Sequence, residues 1–254
     1  MEMVIIGSGN VATVLGHQFQ AAGHRMRQIF SREPGHAAQL AAALQCKYTS
    51  RWEEIDRNAD VFLVALADDA LRDLHNHLSL PGKLVLHTAG SVPKEVLLEV
   101  SVNSGVLYPL QSLRRGLTPY PEIPLLTDAN QESDRQRITD LARSISGQVS
   151  DADDVTRLKL HLAAVLVNNF TNHLYVLARE YCRSEGADFS LLLPLIRETA
   201  GRLSRVAPED AQTGPAIRGD GGTIEKHLEL ISNYKDMKEV YTVFTRQIRE
   251  RGTR

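Results

Sequence analysis

Three sets of residues in this 254-residue chain have types and spacings that could do chemistry. The first is Gly7-Ser8-Gly9-Asn10-Val11-Ala12, small residues whose unhindered backbone N–H groups could cradle a phosphate. The second is His161, Asn168 and Asn172: at about 100° per residue both asparagines fall within about 20° of His161 on one face of a helix. Buried polar groups need partners, so this stripe either receives a ligand or satisfies itself among neighbouring groups. The third set is scattered: His87 at a strand terminus, Tyr108 and Gln111 in "LYPLQS", and Arg218 in "TGPAIRGDGGT". A histidine or a tyrosine could deliver a proton, and an arginine could grip a carboxylate or phosphate with two donors. Each has a structural alternative: Tyr108 as a buried ring at a strand end, Arg218 in an ion pair, and Asp220 as a helix cap.

The elements around the glycines decide what they can do. Met3 to Ile6 is a short apolar run of the kind that forms a buried strand, and Val11, Val14, Leu15 and Phe19 have helical spacing. The glycines therefore sit at a strand-to-helix turn. Gly7 permits the turn, Gly9 lets a pyrophosphate approach the backbone, and Ala12 keeps the helix close to the strand. The pattern is a G-x-G-x-x-A variant of the dinucleotide fingerprint in its required context; the alternative is a plain turn. A carboxylate at the end of the second strand would take the ribose of NAD, but Ser31-Arg32 stands there, about twenty residues beyond Gly9. A guanidinium and a hydroxyl suit a 2′-phosphate, so NADP(H) is favoured over NAD(H). The alternative leaves Arg32 in solvent and brings Glu33 to the ribose.

Further along, "RMRQIFS", "CKYTS", "VFLVAL", "KLVLH", "GVLYPLQS", "IPLLTD" and "GQVS" read as strands, interleaved with helical stretches. This alternation predicts an α/β, doubly wound sheet over residues 1–151. Beyond Asp151 only helical periodicity appears, which predicts an all-helical C-terminal domain over residues 152–254. "HLAAVLVNNFTNHLY" is apolar nearly all round and predicts a buried central helix from Asp153 to Tyr181. Composition is that of a globular chain, with 43% hydrophobic and 24% charged residues. A formal charge of −2 carries no basic footprint for nucleic acid. The longest apolar runs, such as "VFLVALA", are far short of a bilayer span, and the N-terminus lacks the build of a signal peptide. No membrane partner and a cytoplasmic location are expected. Cys46 and Cys182 are far apart without metal-ligand spacing, so free thiols and no metal are expected.

Together, "VIIGSGNVA", "FSR", "VALADDAL", "VLHTAGS", "YPLQS" and "TGPAIRGDGGT" resemble the Rossmann-like NADP oxidoreductases whose C-terminal half is a helical domain of unknown function. These are relatives of pyrroline-5-carboxylate reductase, 6-phosphogluconate dehydrogenase and ketopantoate reductase. The resemblance spans nearly the whole chain. Its first motif is common to many enzymes, whereas "YPLQS" followed by "TGPAIRGD" is more specific. It implies an NADP-binding domain, a dimerising helical domain and a site between them. Residue by residue, it implies Gly7, Ser8, Gly9, Asn10 and Val11 at the pyrophosphate and Ser31 and Arg32 at the 2′-phosphate. It places Ala67 and Asp68 at the end of the fourth strand beside the cofactor, and Thr88 and Gly90 near the nicotinamide.

One departure bears on mechanism. Hydroxy-acid relatives carry a catalytic lysine one helical turn before an asparagine on the first helix of the second domain. Here Ala164 and Val165 precede Asn168 and Asn169 at that distance, so the lysine mechanism does not transfer. The expected activity is hydride transfer to or from a small, anionic carbonyl or imine compound. His161, Asn168 and Tyr108 are the candidate catalytic residues, and Asn172, Gln111 and Arg218 the candidate substrate ligands. One alternative is a non-catalytic NADP(H)-binding sensor; another uses a deazaflavin carrier reduced by NADPH, as in one related branch. A homodimer is expected, with apolar residues from Leu191 to Ile196 available for contact.

Overall fold

The computed structural model describes residues 1–116 and 119–252. The chain opens with β1 (Glu2–Ile6), α1 (Asn10–Ala21), β2 (Arg25–Phe30), α2 (Pro34–Ala43) and β3 (Lys47–Thr49). It continues through β4 (Val61–Val64), α3 (Asp68–Arg72), β5 (Leu84–His87) and β6 (Ser104–Pro109). Next come β7 (Leu125–Ala129), α4 (Glu132–Arg143) and β8 (Val149–Asp151). The eight strands form one sheet in the order β3-β2-β1-β4-β5-β6-β7-β8. All neighbours are parallel except β6 and β7. The strand order reverses between β1 and β4, and ligands of such sheets bind at the carboxyl ends of the strands beside that reversal.

Both faces of the sheet are covered, as the continuous apolar strands require. Alternation along β1 sends Met3 and Ile5 to one face, where they pack with Leu15 and Phe19 of α1, Leu40 of α2 and Ile138 of α4. Val4 and Ile6 go to the other face, with Phe30, Phe62, Leu71 and Leu97. Strand β4 stops at Val64, earlier than its apolar run suggests. Ala67 and Asp68 therefore lie not on the strand but at the start of α3, where Asp68 and Asp69 complement the positive helix end.

After β8 the described chain is helical. Asp153 caps α5 (Asp154–Ala164) by accepting the Thr156 N–H at 2.8 Å. A π-helical turn, Val165–Phe170, joins α5 to α6 (Thr171–Ser184). Then come α7 (Leu193–Arg202), α8 (Pro215–Arg218), α9 (Gly221–Leu230) and α10 (Lys235–Gly252). Asp220 caps α9 through the Thr223 N–H. Strands give way to helices at Asp151, yet the two compact units divide after Asn168. The reason is Arg157, which is 1% exposed and ties α5 to the loop after β5.

The stretch from Asp153 to Tyr181 is not the buried central helix that its composition predicts. Leu162 is 62% exposed and Val167 75%, with Leu158, Leu166 and Phe170 also open to solvent. An all-round apolar helix announces that something covers it, and among the described residues these side chains stay open. No helix among the described residues is long and apolar enough to cross a membrane.

Candidate active site

The glycine loop sits at the carboxyl end of β1. Gly7 has φ +126°, and a Cβ there would lie 2.2 Å from the Ala65 carbonyl oxygen, so only glycine fits. At Gly9 the space is open. No side chain caps α1, and its first turn holds no acid, so its free N–H groups and positive dipole end face outward. These features fit a dinucleotide pyrophosphate: a turn that excludes side chains, leading to an uncapped helix start. Ser8 Oγ donates to Ser31 Oγ at 2.8 Å, which ties the loop to the end of β2. Beside it Arg32 is exposed and forms no ion pair among the described residues. The Asn10 side chain is engaged, its Oδ1 accepting the Arg115 N–H at 3.2 Å, and its backbone N–H stands at the open start of α1.

Three strands along the sheet lies a second cluster. Tyr108 near the end of β6 and His161 on α5 share a hydrogen bond of 2.9 Å between the phenol and Nδ1. Gly90, just past β5, packs directly on the pair. A Cβ at Gly90 would come within 2.8 Å of His161 Nδ1 and 2.9 Å of Tyr108 Cζ. Burial raises the Tyr108 phenol above its ordinary range, and the Arg157 charge partly offsets this. Thr88 is buried and bonded to Val64 O through its backbone N–H. The hydroxyl of Ser91 donates to Asp68, joining the ends of two neighbouring strands.

Beneath the pair is a polar layer that sequence reasoning did not assemble. Arg157 precedes His161 by one helical turn, and its Nη2 donates to Val92 O at 2.6 Å and to Asp154 Oδ1 at 2.5 Å. Its Nε and Nη1 have no partner among the described residues. His87 is fully buried, and its Nδ1 accepts the Ala89 N–H at 3.2 Å, so the neutral ring carries its proton on Nε2. That Nε2 lies near the Pro93 carbonyl without a well-formed hydrogen bond. Burial and, next, the Arg157 charge push the His87 pKa down to about 3. The available signal was the spacing alone, an arginine one helical turn before His161 on a helix that also carries Asp154 and Lys159.

Comparison with known proteins supplies the family. Residues 2–90 match the family described as NADP oxidoreductase coenzyme F420-dependent, and residues 123–248 match a domain of unknown function, DUF2520. A Bacteroides fragilis protein assigned as an NADP oxidoreductase is 36% identical, with 98% of each chain covered and a TM-score of 0.91. The chain belongs to that NADP oxidoreductase family. NADP(H) is the family's cofactor. An imine reductase from Myxococcus stipitatus, solved with NADP+, shares the fold at 17% identity and a TM-score of 0.69, covering 98% of this chain and 93% of that one. So does a reductive aminase from Aspergillus terreus, solved with NADPH, at 16% identity and a TM-score of 0.69, covering 98% and 94%. No similar sequence is found among curated proteins.

In this oxidoreductase no hydrogen bond among the described residues joins the remaining candidates to Tyr108 or His161. Asn168 and Asn172 are exposed, and the expected polar stripe is interrupted. Its arithmetic assumed α-helical turns throughout, whereas the wider π turn at Val165–Phe170 rotates each residue by less. Gln111 is exposed and accepts the Ser112 N–H on its own side chain. Arg218 is exposed at the end of α8, within the second compact unit. No group of three metal-ligating side chains occurs among the described residues.

Proposed function

We propose that this protein is an NADP(H)-dependent reductase of a small, anionic carbonyl or imine compound, with the Tyr108–His161 pair as its proton source. The observation that carries this reading is the packing of the pair on Gly90, at the same carboxyl edge of the parallel strands as the glycine loop. Gly7, Ser8, Gly9 and the backbone of Asn10 and Val11 would hold the pyrophosphate, and Ser31 and Arg32 the 2′-phosphate. When bound, the reduced dinucleotide supplies hydride to the substrate carbon and is itself oxidised.

The chain's own task is then to hold and release one proton. Tyr108 anchors the imidazole through Nδ1, which leaves Nε2 to carry the proton delivered to the substrate oxygen or nitrogen. His161 is half-buried and so can be recharged from solvent, whereas Tyr108 is almost wholly enclosed. The absence of a lysine before Asn168 agrees with a histidine in this role. Asn168, Asn172, Gln111 and Arg218 are assigned to substrate binding or orientation, the last as the holder of an anionic group.

Residues 1–151 are assigned the nucleotide-binding role and residues 152–254 the substrate and pairing roles. The exposed apolar residues of α5, α6 and α7 support a homodimer. Both thiols are free, which suits the reducing cytoplasm.

The test is a titration with NADPH and NADH, read by nicotinamide fluorescence and by the emission of Trp52, whose ring packs on Phe30 next to Ser31. Wild-type protein is expected to prefer NADPH, and Arg32→Ala to remove that preference by about one to two orders of magnitude. A panel of small oxo acids and cyclic imines then follows NADPH oxidation. His161→Ala is expected to lower turnover about 100-fold or more with NADPH affinity retained. Tight NADPH binding with no oxidation by any compound would favour the sensor, and bleaching of a deazaflavin in place of a carbonyl substrate would favour the third reading.

A further inference from the structure

The connection between β6 and β7 is fastened along α1 at three places. Leu113 is buried in the core that α1 shares with the sheet. Tyr120 stacks on His17 with ring centroids 6.3 Å apart and an interplanar angle of 28°. Between them the Arg115 N–H is held by Asn10 Oδ1 at the first residue of α1. Arg114 and Arg115 are both exposed, and neither forms an ion pair among the described residues. The backbone that carries these two adjacent arginines is thus tethered to the uncapped start of a helix whose first turn carries no acid.

Two cationic side chains on a segment held at a positive helix end are within reach of an anion bound there. We propose that Arg114 and Arg115 form a second cationic arm of the dinucleotide site, positioned by the Asn10 side chain to bind the pyrophosphate. The proposal rests on the reading that the glycine loop takes a dinucleotide. It separates two kinds of recognition: Arg32 reads the 2′-phosphate that distinguishes NADPH from NADH, whereas Arg114 and Arg115 grip the diphosphate common to both. It also gives the side chain of Asn10 a purpose distinct from its backbone N–H.

The experiment titrates NADPH and NADH into wild-type protein, Arg114→Gln/Arg115→Gln, Asn10→Ala and Arg32→Ala, at low and at raised ionic strength. Thermal unfolding of each variant confirms that it is folded. The double variant is expected to weaken both dinucleotides by the same factor, about 10- to 100-fold, with their affinity ratio unchanged and a shallower salt dependence. Asn10→Ala is expected to shift both affinities in the same direction by a smaller factor, because the arm remains but is no longer held. Wild-type affinities for both dinucleotides in the double variant would overturn the proposal while leaving the cofactor reading intact. So would loss of NADPH binding alone, which would put the arginines at the 2′-phosphate. Wild-type protein that binds neither dinucleotide would overturn the cofactor reading and this proposal with it.

Discussion

The sheet region, residues 1–152, and the helical region that follows treat their apolar residues in opposite ways. Strands β1, β4 and β5 are buried on both faces by the sheet's own helices. In the helical region the buried apolar side chains among the described residues are Ala216, Ile224 and Ile231, whereas Leu162, Val167, Phe170, Leu191 and Leu195 stand in water. Leu191 is 76% exposed. The sheet thus closes its own core, while the helices carry apolar surface left open among the described residues. A strand's neighbours are supplied within the sheet; a helix hydrophobic on every side needs more neighbours than the described residues provide.

The sharpest way to break that comparison is to charge the exposed helix. Leu162→Glu with Val167→Glu is expected to convert a dimer into monomer, weakening association by at least about a thousandfold, since roughly 2 kcal/mol is lost per buried side chain in each protomer. Sedimentation equilibrium across a range of concentrations checks it, and a wild-type protein that is monomeric throughout would refute the pairing. On the sheet side, Gly7→Ala puts a methyl group into the Ala65 carbonyl. A loss of about 3 kcal/mol in urea unfolding is expected, together with loss of NADPH binding.

Gly90→Ala tests the chemistry rather than the core. The new methyl group would push apart the pair it touches, so turnover per bound cofactor should drop about 100-fold. If affinity fell and turnover per bound cofactor did not, the pair would not be the proton source. A smaller effect is expected from pH. His87 has a folded pKa of about 3 against 6.5 unfolded, so the unfolded chain binds more protons between those values. Stability should therefore fall on acidification, by about 1.4 kcal/mol per pH unit through that window. His87→Gln should flatten the slope in denaturant titrations at pH 7 and pH 4.5.

Much of the sheet region was legible because its signals are local. The run Met3 to Ile6, the glycines after it and the spacing of Val11, Val14, Leu15 and Phe19 name a strand, a turn and a helix without reference to anything distant. Ser31 and Arg32 could likewise be placed at a strand end. What failed was extrapolation along the helix. The polar stripe of His161, Asn168 and Asn172 depended on constant rotation per residue, and the π turn at Val165–Phe170 removes that premise. Burial of the same helix was inferred from composition, which records that a side chain needs covering and not whether its own chain covers it.

Residue types and local spacing by themselves determined the α/β class, the change to helices after Asp151, the glycine loop and the choice of a cationic strand end, since each follows from steric and charge properties of neighbours in sequence. Only the tertiary structure decided that Tyr108 meets His161 against Gly90, that Arg157 and His87 lie beneath them, and that Asn10 holds Arg115. Those contacts join residues from 53 to 105 positions apart in the two hydrogen bonds that define them. The physical reason is that a pairwise contact between distant segments depends on how the strands are ordered and how far α5 is drawn toward the sheet, and neither is written in any local run of residues.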